Sequence, residues 1–182
     1  MNIVQPIKDP KLVRDIINYF KNDNQRNYIL FLFGIYTGRR IGDILKLKVE
    51  DVKGRDHILI KERKTKKNMR MEINPELKRA LDEYCMNKQD NSYLIRSRKG
   101  KNQPIRRETA YMILKVAAER FDLDRIGCHT MRKTFGYSLY NQSKKNIGLV
   151  MKALNHSNEL ETLRYIGIDY ETINNAITSL KF

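Results

Sequence analysis

A chain of 182 residues with 41% hydrophobic residues fits one domain with a real core. That excludes a disordered tail or a minimal scaffold held by staples. The 36 Lys and Arg outnumber 21 Asp and Glu, for a net charge of +15, a surplus that points to a polyanionic partner, most often nucleic acid. A membrane surface is the rival reading, but no apolar run approaches the roughly 20 residues of a spanning helix. The N-terminus MNIVQPIKDP has no apolar signal-peptide core. Two cysteines, Cys85 and Cys128, suit a reducing compartment without a disulfide framework. Cys128 adjoins His129, but no second Cys or His pair lies nearby to complete a zinc site, so a buried thiol is expected.

In chain order, Asp9-Pro10-Lys11 reads as a helix start, with Asp9 as cap and Pro10 in the first turn. Leu12, Ile16, Ile17 and Phe20 follow at helical spacing. After the polar break Lys21 to Asn24, a helix from about Gln25 to Tyr36 is apolar on most sides, which indicates burial. Thr37-Gly38 ends it. A third helix starts near Arg40, with Ile41, Ile44, Leu45 and Leu47 inward. Then the period changes. His57 to Ile60 and Met69 to Ile73 read as strands, joined by a hairpin tip from Lys64 to Asn68. Pro75 opens a helix to about Met86. Tyr93-Leu94-Ile95 reads as a short third strand, and Arg96 to Gln103 as a basic loop. Arg106 to Phe121 is helical. Further helices are expected at His129-x-x-Arg132, near Asn146 to Leu154, and near Asn158 to Ile166. A tail helix, about Tyr170 to Leu180, carries Ile173, Ile177 and Leu180. The sum is mainly α with one small antiparallel sheet.

The stretch from His129 to Tyr165 holds the chemistry. His129 and Arg132 share a helix face three residues apart, near a helix start whose free N–H groups favour an anion. His156 sits in the turn Asn155-His156-Ser157, and Tyr165 follows nine positions later. A guanidinium, two imidazoles and a phenol suit work on a phosphodiester. The guanidinium binds phosphate oxygens, an imidazole moves or holds a proton, and the phenol oxygen attacks.

These residues resemble the catalytic domain of the tyrosine recombinases, the phage integrase family. There a His-x-x-Arg box, a Leu-Gly-His-type box and a tyrosine occur in this order. An arginine in a Thr-Gly-x-Arg box precedes them, followed by a hairpin lysine. Thr37-Gly38-Arg39-Arg40-Ile41-Gly42-Asp43 resembles the first box, and Lys64 in Arg63-Lys64-Thr65-Lys66-Lys67 stands where the lysine is expected. The resemblance covers the chain from about residue 10 onward. It implies residues 1–166 as the catalytic domain and 167–182 as a tail helix exchanged between protomers. The alternative for the tail is packing on its own domain.

Taken alone, each residue has a plainer reading. Arg40 or Arg39 would be a surface charge, Lys64 a solvated hairpin tip, His129 a structural histidine, His156 a loop histidine, and Tyr165 one of ten tyrosines. The family pattern selects Arg40 over Arg39, because Ile41 and Asp43 follow it. It implies Arg40 and Arg132 as phosphate clamps, with Asp43 as an orienting carboxylate. Lys64 becomes the acid for the leaving 5′ oxygen, with Lys66 and Lys67 as neighbouring candidates. His129 is implied as proton acceptor or positioner, His156 as a donor to a non-bridging oxygen, and Tyr165 as nucleophile, with Tyr170 its nearest rival. Arg39, Lys66, Lys67 and Lys133 are expected to contact DNA. A phenol has pKa about 10, and the surrounding cations are expected to favour the phenolate and the pentavalent transition state.

Three departures stand out. Asn155 replaces a common glycine, though Asn tolerates left-handed backbone. Met131 and Lys133 replace commoner residues, and their side chains are expected to point away. Most members of the family also carry an N-terminal clamping domain, so this chain is read as a fragment or as a short single-domain member. The implied activity is site-specific strand exchange on double-stranded DNA through a 3′-phosphotyrosyl intermediate, without metal, ATP or other cofactor. Four protomers are expected on DNA and a monomer without it, in the cytoplasm and on the nucleoid. The alternatives are a type IB topoisomerase-like enzyme and a non-catalytic DNA-binding protein of the same fold.

Overall fold

The computed structural model describes residues 4–61, 68–168, 174 and 177–181. Helix α1, Pro10–Asp23, begins as expected: the Asp9 carboxylate accepts from the Lys11 amide at 2.8 Å, and Pro10 occupies the first turn, where a missing N–H costs nothing. The single residue Asn24 separates α1 from α2, Gln25–Thr37. Its side chain caps α2 by accepting from the Asn27 amide.

Helix α2 is the axis of the molecule. Ile29, Leu30, Phe31, Leu32 and Phe33 are all buried, on every side of the helix rather than along one stripe. Helices α1, α4 (Pro75–Cys85) and α6 (Thr130–Gln142) surround it. Each fully buried Leu or Phe in this run contributes about 1.5–3 kcal/mol. This core needs none of the site's polar residues, and the site rests on it.

Gly38 stops α2 in a left-handed conformation, φ 60°. The position requires glycine twice over, because a Cβ there would also strike the Phe135 ring. Helix α3, Ile41–Ile44, is a single turn with Arg40 as its N-cap. A 3₁₀ turn at Val49–Asp51 leads to strands β1 (His57–Lys61) and β2 (Asn68–Glu72). They pair antiparallel, with His57 opposite Glu72 and Leu59 opposite Arg70.

The sheet has two strands. The expected third strand at Tyr93 to Ile95 is instead a pair of isolated bridges, Lys48 to Tyr93 and Arg96 to Pro104. Leu94 and Ile95 are buried, which gave the segment its strand-like composition. They fill the core from an irregular connection. Helix α5 is Arg107–Arg120.

Helices α6, α7 (Ile147–Leu154) and α8 (Glu159–Tyr165) form the end of the molecule that carries the site. Asn146 and Asn158 cap α7 and α8 through their side chains. Val150, Leu154 and Ile166 form a small core of their own, with Phe135, Tyr137 and Tyr165 packed against it. Gly136 makes the approach possible: a Cβ there would lie 2.7 Å from Ile166 Cγ2 and 3.1 Å from Leu154 Cδ1. The tail helix expected at Tyr170 to Leu180 lies largely outside the described residues, Ile173 included. Ile177 and Leu180 are exposed. Among the described residues no helix is long and apolar enough to cross a membrane.

Candidate active site

The site is built where helix ends meet. The carbonyls of the last turn of a helix have no partners within it and carry partial negative charge. Arg132, buried in α6, answers two such ends at once. Its guanidinium donates to the Gly38 carbonyl at the end of α2 and to the Leu154 carbonyl at the end of α7, each at 2.5 Å. A guanidinium has more N–H donors than these two carbonyls use, and its charge acts on Tyr165.

Arg39 and Arg40 are adjacent in sequence and opposite in fate. Arg39 is buried, and its guanidinium donates to the Ala153 carbonyl at 3.0 Å. It was expected to contact DNA. The structure instead turns it inward as a second tie on the end of α7, because the left-handed Gly38 reverses the chain there. Arg40 is exposed. It lines a groove of about 600 Å³ with Asp43, Lys46, Arg107 and His129.

Tyr165 is the last residue of α8 and is half-buried. Its hydroxyl lies 3.2 Å from His129 Nδ1. His156 approaches its ring edge-on, with centroids 5.0 Å apart. The left-handed Asn155, φ 51°, ends α7 and directs His156 toward Tyr165. This conformation is the one that Asn tolerates in place of glycine.

Thr162 fixes the His156 ring. The Thr162 hydroxyl donates to the Asn158 carbonyl at 2.6 Å and lies 3.2 Å from His156 Nδ1. With its proton committed, that hydroxyl accepts from Nδ1–H. The neutral ring therefore keeps its proton on Nδ1, and its Nε2 can donate only when the ring is charged.

Lys133 departs most from expectation. It was read as a DNA contact whose side chain points away. It is 8% exposed, and its ammonium sits over the Tyr165 ring, 4.9 Å from the centroid. The reason is helical spacing: Lys133 lies four residues after His129 and so shares its face. That spacing was present in the sequence and could have placed it. Met131 is buried in the core. Thr162 and Arg107 were also missed. For Arg107 the available signal was its place beside Arg106 at a helix start. Lys64, Lys66 and Lys67 lie outside the described residues.

The electrostatics are set by burial against a field of cations. Burial raises the Tyr165 phenol above its usual pKa, while Arg132 and Arg40 pull it down. The cations were expected to win and favour the phenolate. In the DNA-free protein desolvation wins, and the resting nucleophile is a neutral phenol. Partial desolvation lowers the His129 pKa, and Arg107, Arg132, Lys133 and Arg40 lower it further. His156 is lowered by desolvation, Arg132 and Arg40, with Glu161 opposing.

Both histidines are thus neutral in the folded protein where an unfolded chain begins to protonate them. Below about pH 6.5 the unfolded state binds more protons, so stability falls as pH falls. The melting temperature without DNA is expected to be level between about pH 7 and pH 8 and to decline below that through the histidine range. A His129→Gln, His156→Gln double variant should decline less over the same range. An equal decline in both proteins would show that other groups are responsible.

Cys128 is half-buried and its thiol is pushed up, first by burial. Cys85 is buried and pushed up to about 11. Both are thiols rather than thiolates. Among the described residues no group of three His, Cys, Asp or Glu could hold a metal ion.

Residues 9–172 match the family model described as "Phage integrase family". Over 172 residues the chain is 45% identical to the probable integrase/recombinase YoeC of Bacillus subtilis (strain 168), covering 94% of each protein. It is 28% identical over 182 residues to a tyrosine recombinase of Pseudothermotoga lettingae, covering 92% of this chain and 62% of that one. Among solved structures, XerA recombinase superimposes with a TM-score of 0.76 at 20% identity, over 98% of this chain and 65% of that one. XerH site-specific recombinase bound to its palindromic difH substrate gives 0.74 at 21% identity, over 98% and 54%. The chain therefore spans nearly all of YoeC but under two thirds of these other proteins. Its mainly helical fold is that of tyrosine recombinase catalytic domains, and the chain belongs to the phage integrase family.

Proposed function

We propose that this chain is a site-specific DNA recombinase that cuts and rejoins double-stranded DNA through a 3′-phosphotyrosyl intermediate. The observation that carries the reading is the Tyr165 hydroxyl 3.2 Å from His129 Nδ1, in a site that also contains the Arg132 guanidinium. A DNA phosphate drawn to the exposed Arg40 would meet the Arg132 guanidinium and the phenol oxygen together.

In this reading the Tyr165 oxygen attacks phosphorus while its proton passes to neutral His129, which partial desolvation and four cations keep ready to accept it. Arg40 and Arg132 neutralise the charge that builds on the phosphoryl oxygens. His156 donates through Nε2, which needs the charged imidazolium, and the arriving phosphate favours that form. The bond from phosphorus to the 5′ oxygen breaks, and Lys64 protonates the leaving oxygen. The 5′-hydroxyl of a partner strand then attacks the phosphotyrosine and gives its proton to Lys64, while His129 returns its proton to the departing Tyr165 oxygen. One phosphodiester is exchanged for another, so no external energy source is required. Asp43 orients the Arg40 end of the groove. Four copies acting on two duplexes, from a monomeric DNA-free protein, complete the scheme.

The test is strand exchange between two differently labelled duplexes that carry candidate junction sequences. Products that combine the two labels are expected with the wild type and absent with Tyr165→Phe. Relaxation of supercoiled DNA without exchanged products would favour the topoisomerase reading. Binding without either would favour a non-catalytic protein.

A further inference from the structure

We propose that Lys133 is a positioning residue for Tyr165: its buried ammonium, packed on the face of the phenol ring, holds the ring in the site and favours the phenolate as the nucleophile forms. This deepens the recombinase reading and rests on it. Lys133 is neither a phosphate ligand nor a proton donor here, because its ammonium meets the ring face rather than the groove.

The ammonium is 4.9 Å from the ring centroid, within the range where a cation is attracted to an aromatic face. Lys133 is only 8% exposed, so water does not screen the contact as it would at the surface. Among the described residues no carboxylate pairs with Lys133. The Tyr165 ring is the partner that the structure gives it.

A buried lysine facing a ring and no carboxylate is costly unless its charge is used. Burial lowers its hold on its proton, and the negative charge that develops on Tyr165 would strengthen that hold again. Ammonium and phenolate therefore favour each other, and the mutual gain grows as the phenol loses its proton. That is stabilisation greater in the transition state than in the ground state.

The other groups that bear on Tyr165 have different geometry. His129 contacts the hydroxyl, while Arg132 and Arg40 act on it through their charge. His156 meets the ring edge-on. Lys133 is the cation stacked on the ring face, and it is held by α6, the helix that also carries Arg132.

The test compares wild type, Lys133→Met and Lys133→Arg, with Tyr165→Phe as the blank. Met keeps most of the apolar stem and removes the charge. Single-turnover formation of the covalent adduct on a nicked suicide duplex is followed from pH 6.5 to pH 9.5, with non-covalent DNA binding measured alongside. Lys133→Met is expected to bind DNA within about twofold of wild type, because its lysine does not reach the groove. It should form adduct about tenfold more slowly near pH 7, with the rise in rate displaced upward by about one pH unit, since a cation this close favours an ionised partner by that order. Lys133→Arg should recover part of the loss. Lys133→Met should also unfold at the wild-type temperature or above, since a buried charge is removed.

A wild-type rate with an undisplaced profile in Lys133→Met would overturn the proposal. So would a loss equal at every pH, which is what simple packing damage gives. A second measurement does not depend on activity: the Tyr165 ring is followed in DNA-free protein by carbon NMR of tyrosine labelled at Cζ, assigned through Tyr165→Phe. Lys133→Met should raise the Tyr165 titration midpoint by about one pH unit, and an unchanged midpoint would reject the proposal. If the midpoint moves but even the wild type forms no adduct, the recombinase reading fails, while the contact between Lys133 and Tyr165 stands.

Discussion

Tyr165→Phe is expected to fold, bind DNA and form no covalent adduct. The substitution removes one oxygen and leaves the ring. The contacts of that ring with His156 at 5.0 Å and with Lys133 at 4.9 Å are made by carbon and survive. What is lost is the hydrogen bond to His129, worth about 1 kcal/mol, and part of that is regained because a desolvated hydroxyl no longer needs a partner. Stability should therefore change by no more than about 1 kcal/mol by urea unfolding. Cleavage should fall below detection, because among the described residues no other oxygen nucleophile occupies that point. Wild-type cleavage by the variant would mean that another group attacks. A large loss of stability would mean that the hydroxyl holds the site together.

Arg132→Ala should damage both the fold and the chemistry. Its guanidinium is buried and donates to the Gly38 and Leu154 carbonyls, so it fastens the ends of α2 and α7 to α6. Hydrogen bonds to a charged group are each worth about 1.5–3 kcal/mol. Relief of repulsion from Arg39 and Arg40 returns some of this, since their charges also press on Arg132. The net loss is expected to be about 2–4 kcal/mol, read by urea unfolding. Adduct formation, measured where the variant is still folded, should fall by about 10²–10³-fold or more, as when one preorganised donor to a developing oxyanion is removed. Arg132→Lys should recover less than charge alone would suggest, because one ammonium cannot span two carbonyls as a planar fork does. If Arg132→Ala lost stability but kept its cleavage rate, the guanidinium would be a structural clasp and nothing more.

Much of the fold was legible because single residues settle it. Asp9-Pro10, the all-round apolar run of α2 and the Thr37-Gly38 stop each have a local physical cause. The segment Tyr93 to Ile95 misled because burial alone attracts strand-like composition. Its backbone pairs at isolated points, and the core rather than a ladder holds Leu94 and Ile95. The box residues could be picked from their order along the chain, but their directions could not. Arg39 and Lys133 were assigned to DNA because long cations default to solvent. Each was overruled by a local demand: the Ala153 carbonyl at the end of α7, and the face of a phenol. The direction of the Tyr165 shift was misjudged for a related reason. Nearby cations can be counted in a sequence, whereas the desolvation that outweighs them depends on how α6, α7 and α8 close around the ring.

The most direct test of the central claim is to find where DNA becomes attached. The protein is incubated in EDTA with nicked suicide duplexes drawn from a library of candidate junctions, the adduct is digested with trypsin, and the nucleotide-bearing peptide is sequenced by mass spectrometry. Cleavage after Arg164 makes Tyr165 the first residue of its peptide, which also contains Tyr170, so fragmentation separates the two. The expected product is a 3′-linked nucleotide on Tyr165, formed without divalent metal. A nucleotide on Tyr170 or any other residue, or an adduct that needs metal, would contradict it.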